Sequence, residues 1–319
     1  MIELNRGLLG TNSVDQLAFV VKDIDKACED FSRLLGIPKP NWFLTGAHSR
    51  SKVFYKGKPS DTQSKLAFID TPSIQIELME VDEEPSTMKD YLERKGEGIH
   101  HVAFVVDKIS NRLEPLDRSG YPLLQSGEFT SNNKGRYAYL NTEDKHKTII
   151  ELLERETPQP KKVADLISEP LFGSRKITQI ALVVENIDET ARHFSQILGL
   201  GIPRKITEGH PDITKVHYQG EPTKADATFM FFKTPTVEIE LIQPGKESSA
   251  WKDHLNEHGE GIHHISFEVM NLEEKLEKLN QKGYQTIQTG NFYNGNGRYA
   301  YLDTKEEFKV IIELLERYF

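Results

Sequence analysis

The sequence predicts an α+β fold made of two tandem domains, each a pair of βαβββ modules forming a curved, partly closed mixed β-sheet around a metal cleft. A long-range duplication, a finer repeat inside each copy, and a few polar residues placed in otherwise apolar strands carry this reading. The segment KGEGIHHVAFVV from Lys95 recurs as HGEGIHHISFEV from His258 at an offset of 163 residues. GRYAYLNT from Gly135 returns as GRYAYLDT from Gly297, and KTIIELLER from Lys147 as KVIIELLER from Lys309, both at an offset of 162. VDQLAFVV from Val14 and SIQIELME from Ser73 find their copies as ITQIALVV from Ile177 and TVEIELIQ from Thr236. The duplication defines domains over residues 1–155 and 176–319, joined by a linker over 156–175. Three prolines and mixed charge in that linker suit a segment that wraps a surface. A chain of 319 residues divides naturally into two units of roughly 150 residues, each large enough to bury a core.

Each domain repeats internally. VDQLAFVVKDIDKACEDFSRLLG and IHHVAFVVDKISNRLEPLDRSG both run as a short apolar stretch, a polar break, and an apolar segment of helical period ending in Gly. The period places Ile24, Ala27, Phe31, Leu34 and Leu35 on one helix face, and Ile187, Ala191, Phe194, Ile197 and Leu198 on its counterpart. Short strands follow, ending in IQIELME and TIIELLER in the first domain and VEIELIQ and VIIELLER in the second. An extra helix, PSTMKDYLERKG or SSAWKDHLNEHG, links the modules, with Ser or Thr near its start as a cap. The GEG before each His pair is a turn into a strand rather than a phosphate loop, because no helix follows it.

Composition excludes several classes. Forty basic against 49 acidic residues give a net charge of −9, which repels phosphate backbones and anionic lipid, so neither nucleic acid nor membrane is an expected partner. The single cysteine, Cys28, rules out an internal disulfide and a cysteine-built metal site. No apolar run approaches the roughly 20 residues of a membrane span, and the N-terminus shows no basic-then-apolar pattern, so the expected location is the cytoplasm.

The informative residues break the apolar face of a strand. Alternation puts Gln16 beside Val14, Ala18 and Val20, and His101 beside Ile99, Ala103 and Val105, while Glu77 and Glu151 interrupt the strands that end each module. The second domain repeats the set as Gln179, His264, Glu240 and Glu313. When the half-repeats are superposed, an imidazole, two carboxylates and an amide oxygen meet in one cleft per domain, a donor set for Zn²⁺, Ni²⁺, Co²⁺ or Mn²⁺. Alternation sends His100 and His263 to the opposite face. Arg136 and Arg298, which open a strand after a loop, are placed to reach an anionic substrate. His48, His210 and His217 lie in the variable middle of the domains, and Cys28 sits on a helix outside any motif.

GIHHVAFVV, GRYAYLNT and IIELLE resemble the vicinal oxygen chelate superfamily, which includes glyoxalase I, methylmalonyl-CoA epimerase, extradiol dioxygenases, and fosfomycin or bleomycin resistance proteins. The resemblance covers nearly the whole chain, once per domain. It implies one ligand near the start of the first and fifth strands of a domain and one near the ends of the fourth and eighth, which are the eight positions named above. Around GEGIHH the chain looks most like the epimerase and lactoylglutathione lyase branch. The Gln, Glu, His, Glu set looks like eukaryotic-type glyoxalase I, whereas epimerases carry His in the first strand and dioxygenases two His and one Glu.

The expected function is a metal-dependent isomerase, epimerase or lyase that moves a proton next to a carbonyl through a metal-stabilised enediolate. The proton carriers expected are Glu151 and Glu313, with Glu77 and Glu240 as partners, and the expected substrate is an acyl thioester or hemithioacetal. Alternatives are a ligand-sequestering protein of the antibiotic-resistance type, its cleft lined by aromatics such as Trp42, Phe43, Phe292 and Tyr293, and an Fe(II) ring-cleaving dioxygenase. The chain is expected to act as a fused dimer in one monomer, or as a homodimer, with sites within or between domains.

Overall fold

The computed structural model describes residues 7–129, 134–157, 160–207 and 211–318, so His210 lies outside the described residues. The first domain runs β1 (Gln16–Val21), α1 (Ile24–Leu35), β2 (Phe43–Leu44), α2 (His48–Ser51), β3 (Phe54–Tyr55), β4 (Lys58–Pro59), β5 (Ser64–Asp70), β6 (Gln75–Val81), α3 (Thr87–Lys95), β7 (Gly98–Val105), α4 (Ser110–Arg118), β8 (Leu123–Phe129), β9 (Gly135–Leu140), α5 (Glu143–His146) and β10 (Ile149–Arg155). The second follows the same order with β11 (Ile177–Val183), α6 (Ile187–Leu198), β12 (Ile206–Thr207), α7 (Pro211–Thr214), β13 (His217–Tyr218), β14 (Glu221–Pro222), β15 (Ala227–Lys233), β16 (Glu238–Pro244), α8 (Ala250–His258), β17 (Gly261–Glu268), α9 (Leu272–Gln281), β18 (Thr286–Asn291), β19 (Gly297–Leu302), α10 (Lys305–Phe308) and β20 (Ile311–Arg317). None of the helices among the described residues is long and apolar enough to cross a membrane.

Local chemistry sets the element ends. Helix α1 starts where the Asp23 side chain accepts from Lys26 N at 3.0 Å and stops at Gly36, whose φ of 66° closes the last turn. The inter-module helices α3 and α8 are capped by Ser86 and Ser249. All ten residues assigned to the apolar faces of α1 and α6 are buried.

Among the described residues each domain holds one curved ten-stranded mixed sheet, ordered β2-β5-β6-β1-β7-β10-β9-β8-β3-β4 in the first. The opening strands of the two modules, β1 and β7, pair antiparallel at its centre, and the closing strands β6 and β10 flank them in parallel. Hairpin β3–β4, within the first module's sequence, joins the far edge of the second module, with Phe54 opposite Ser126.

Alternation gives each sheet two apolar faces with different partners. The outer faces, carrying Leu17, Phe19, Val102 and Phe104 in one domain and Ile180, Leu182 and Ile265 in the other, merge with α1 and α6 into one core spanning both domains. The inner faces carry two smaller, separate clusters, Ala18, Val20, Met79, Met88, Tyr139 and Ile149 in one domain and a Trp251-centred set in the other. Across the shared core Phe31 of α1 meets Phe308 of α10 edge-on at 6.0 Å, and Phe194 of α6 meets His146 of α5 at 4.9 Å. Two ion pairs cross the seam at equivalent places, Lys309 with Glu97 at 3.1 Å and Lys147 with Glu260 at 2.7 Å.

The repeat extends further than the strands suggest. Leu8 and Leu9 donate backbone hydrogen bonds to Gln196 O and Ile197 O on α6, and within the expected linker Ile167 and Leu171 donate to Gly36 O and Leu34 O at the end of α1. Leu8-Leu9-Gly10 corresponds to Leu171-Phe172-Gly173 in the alignment of the repeats, so the domains exchange short arms. At Gly36 a Cβ would stand 2.4 Å from Ser168 O, a distance only a residue without one allows.

Because the outer faces form one core, both domains should unfold together. We expect one cooperative transition in calorimetry and near-UV circular dichroism, and Phe194→Ala should lower its stability by about 3–5 kcal/mol without splitting it. Two transitions in the wild type would show that the core is not shared.

Candidate metal centres and the superfamily they belong to

Strand register decides which side chains share the inner face. Ala18 lies opposite Glu77 on one side and His101 on the other, and Ala103 lies opposite both Gln16 and Glu151. Gln16, Glu77, His101 and Glu151 therefore project from β1, β6, β7 and β10 to the same side, and all four are buried. The second domain reproduces the pattern with Gln179, Glu240, His264 and Glu313. Each set comes from a single sheet, so the centres lie within domains.

His101 Nε2 stands 3.0 Å from Glu151 Oε2 and 3.5 Å from Glu77 Oε2. The corresponding distances from His264 Nε2 are 3.1 Å to Glu313 and 3.5 Å to Glu240. In each domain one donor atom from the imidazole and one from each carboxylate lie within 4.8 Å of one another. Gln16 Nε2 donates to Gln75 Oε1, leaving Gln16 Oε1 buried without a hydrogen-bond partner, as are His101 Nε2, His264 Nε2 and Glu151 Oε2. Buried polar atoms are almost always satisfied. Lone pairs of an imidazole and two carboxylates that converge on one point, with the amide oxygen of Gln16 left over, fit a cation, so the residues present fit a divalent ion.

The electrostatics agree. Burial disfavours a charged His101, but Glu151 and Glu77 outweigh it and raise its pKa to about 9; Glu313 and Glu240 do the same for His264, to about 9. Burial also raises the Glu151 carboxyl against the pull of His101, and burial with repulsion from Glu313 and Glu238 lifts Glu240 to about 7. Both clusters thus demand positive charge.

The expectation that His100 and His263 face away is overturned. Across from Ala18 and Phe19 the pairing jumps from His101 to Ile99, and across from Ala181 and Leu182 from His264 to Ile262. Each strand bulges by one residue there, which cancels strict alternation. His100 consequently meets Tyr139 and Tyr91 at 5.4 Å, and its Nδ1 lies 2.8 Å from His101 Nδ1; His263 Nδ1 stands equally close to His264 Nδ1. The contact between the two Nδ1 atoms fixes each ring and leaves Nε2 of His101 aimed at the carboxylates. Two adjacent histidines within an otherwise apolar strand are the sequence signal for this.

Arg136 and Arg298 do not reach the cleft. Tyr137 and Tyr139 take the inner-face positions of β9, so Arg136 points outward to Glu154 at 2.6 Å, and Arg298 pairs with Glu316 at 2.6 Å and Glu273 at 3.5 Å. The inner face near Glu77 is instead apolar, with Phe68 directly opposite it and Phe43 next to Leu66. Trp42 and Tyr293 are exposed, whereas Phe292 packs against the second inner cluster. His48 bonds through Nδ1 to Val53 O at 2.7 Å, and His217 is exposed at the edge hairpin. Cys28 is buried on α1, and burial pushes its thiol up to about 11, unsuited to a nucleophile.

The family model described as Glyoxalase/Bleomycin resistance protein/Dioxygenase superfamily matches residues 15–139 and again 178–301. The chain belongs to this superfamily. YqjC, an uncharacterized protein of Bacillus subtilis (strain 168), is 24% identical over 143 residues, 45% of this chain and 92% of its own length. Among solved structures, a mutant of 4-hydroxymandelate synthase from Streptomyces coelicolor aligns over 96% of this chain and 93% of its own, with a TM-score of 0.61 at 12% identity. An Mn(II)-bound glyoxalase from Novosphingobium aromaticivorans aligns over 96% and 82%, with a TM-score of 0.51 at 13% identity. At these identities the structural likeness establishes the fold, which is shared across superfamily chemistries, so the site itself must decide between them.

With the imidazole of His101 protonated below a pKa of about 9, binding a divalent ion at pH 7 must displace that proton. We expect release of about one proton per ion bound, seen as a dependence of the titration enthalpy on the buffer's ionisation heat, and affinity that falls as pH drops. Replacing the bulge residue, His100→Ala, should weaken binding by roughly 10–100-fold.

Proposed function

We propose that each domain holds a divalent metal ion on Gln16, Glu77, His101 and Glu151, or on Gln179, Glu240, His264 and Glu313, and that the protein is an isomerase, epimerase or lyase working by proton transfer beside a carbonyl. The observation that carries this reading is the pair of carboxylates flanking one imidazole, with the Glu151 Oε2 buried 3.0 Å from His101 Nε2 and the Glu151 carboxyl of raised proton affinity. When bound, the ion supplies Lewis-acid polarisation of the substrate's oxygens. The protein supplies the rest.

Glu151 and Glu313 take the proton from the carbon next to the carbonyl; burial raises the proton affinity of the Glu151 carboxyl, which suits it to accept and return a proton. Glu77 and Glu240, across the imidazole, are the partners that return it on the other face or the neighbouring carbon. Tyr139 and Tyr301 close the cleft against water beside these carboxylates, and Gln125, buried on β8, accepts from Thr87 N at 2.8 Å and so anchors α3 over the inner face. The substrate proposed is a small acyl thioester or hemithioacetal with an apolar body. With Arg136 and Arg298 turned outward, the apolar surface of Phe43 and Phe68 supplies the grip. One imidazole per centre, where an Fe(II) facial triad has two, counts against dioxygen chemistry.

The test is to strip and reconstitute the protein, count ions per chain, and follow exchange of substrate α-protons with deuterated water by NMR. About two ions per chain and α-proton exchange support the reading, and Glu151→Gln with Glu313→Gln should reduce exchange by roughly 10²–10⁴-fold. Absence of both binding and exchange sinks it and leaves ligand sequestration as the better account.

A further inference from the structure

The two centres use the same four donors, but their surroundings differ at three aligned positions. Across the ladder from the closing carboxylate stands Ala103 in the first domain and Ser266 in the second. The Ser266 hydroxyl donates to Glu313 Oε2, the oxygen that faces His264 Nε2, whereas Ala103 offers Glu151 Oε2 no such donor. A carboxylate oxygen has two lone pairs, so Ser266 can hold one and leave the other for an ion.

The second difference concerns the amide. Gln16 donates to the neutral Gln75, while Gln179 donates to the carboxylate of Glu238 at 2.9 Å, which adds negative charge beside the amide. The third concerns the tyrosine next to the imidazole. Trp251 Nε1 donates to the Tyr301 hydroxyl at 3.0 Å, and Trp251 is buried; the equivalent residue in the first domain is Met88, which offers Tyr139 no such donor.

In the first domain the Tyr139 side chain bonds to Glu151 instead, so two of the differences fix a group in the second domain and the third adds charge there. In the second domain the closing carboxylate and the aromatic ring are each fixed by a neighbour before any ion arrives, and an extra carboxylate stands beside the amide. Groups held in place beforehand lose less conformational freedom on binding, and outer hydrogen-bond partners of this kind change metal affinity by roughly 10–100-fold each. We infer that the two centres are not equivalent: the second domain retains its divalent ion more tightly because Ser266 and Trp251 fix the groups around it and Glu238 adds negative charge beside it, while the first domain, with Ala103, Gln75 and Met88, is the centre that exchanges its ion. Ser266 is a positioning residue, since it acts through Glu313.

This inference rests on the proposed metal centres, and the experiment separates its failure from theirs. The probe is Mn²⁺ alone, titrated into the metal-free full-length chain and followed by electron paramagnetic resonance of the free ion, with His101→Ala and His264→Ala used to assign each phase. The wild type should bind two ions in two phases separated by roughly 10–100-fold, the tighter one lost in His264→Ala. Ser266→Ala should weaken the tighter phase towards the other, and Ala103→Ser should tighten the weaker phase, a gain that misfolding cannot mimic. Two phases of equal affinity, or a separation untouched by both serine variants, overturn the inference while leaving the metal centres standing. Failure to bind any ion overturns the metal reading itself, and the inference with it.

Discussion

The structure is organised around an electrostatic demand. Two carboxylates and an imidazole sit buried within 4.8 Å of one another in each domain, an arrangement that costs several kcal/mol per ion in a low-dielectric interior unless positive charge compensates it. A proton on the imidazole meets the demand in part and a divalent ion meets it fully. The bulge that brings His100 onto His101, the tyrosine on β9 and the closing of the inner face by α3 all bear on how that charge is held.

The module geometry makes such a cluster possible. Because the opening strands of two modules pair at the sheet centre and the closing strands flank them, residues distant in sequence, Gln16 and Glu151 among them, face the same side over one short stretch of β-ladder. The apolar outer faces are spent on the partner domain. This leaves the inner faces, with small clusters of their own, free to carry polar groups without cost to the main core.

Much of this was legible in the sequence, for physical reasons. Helical and strand periods survive in any buried element, so the faces of α1 and α6 could be read directly, as could the shared sheet face of Gln16, Glu77, His101 and Glu151. The duplication supplied the pairing of donors that no single strand reveals. What failed to show depends on one extra residue or on distant contacts. Strict alternation misplaced His100 and His263, because a bulge shifts parity by one. It also applies to Arg136, but only once Tyr139 is known to face the cleft. The transfer of hairpin β3–β4 to the other module and the exchange of arms at Leu8 and Leu171 leave no periodic trace, since both are settled by docking onto surfaces made elsewhere in the chain.

The seam between the domains is nearly two-fold, with Phe31 against Phe308 matched by Phe194 against His146, and Glu97 with Lys309 matched by Glu260 with Lys147. In a dimer of identical chains any substitution at such a seam strikes both equivalent contacts at once. In one continuous chain it strikes only one, and the other goes on holding the halves together. Fusion therefore halves the mutational step: one side can carry a histidine where the other carries a phenylalanine, or a serine beside one cleft where the other has an alanine, and the two halves are free to become different proteins without ceasing to be each other's core.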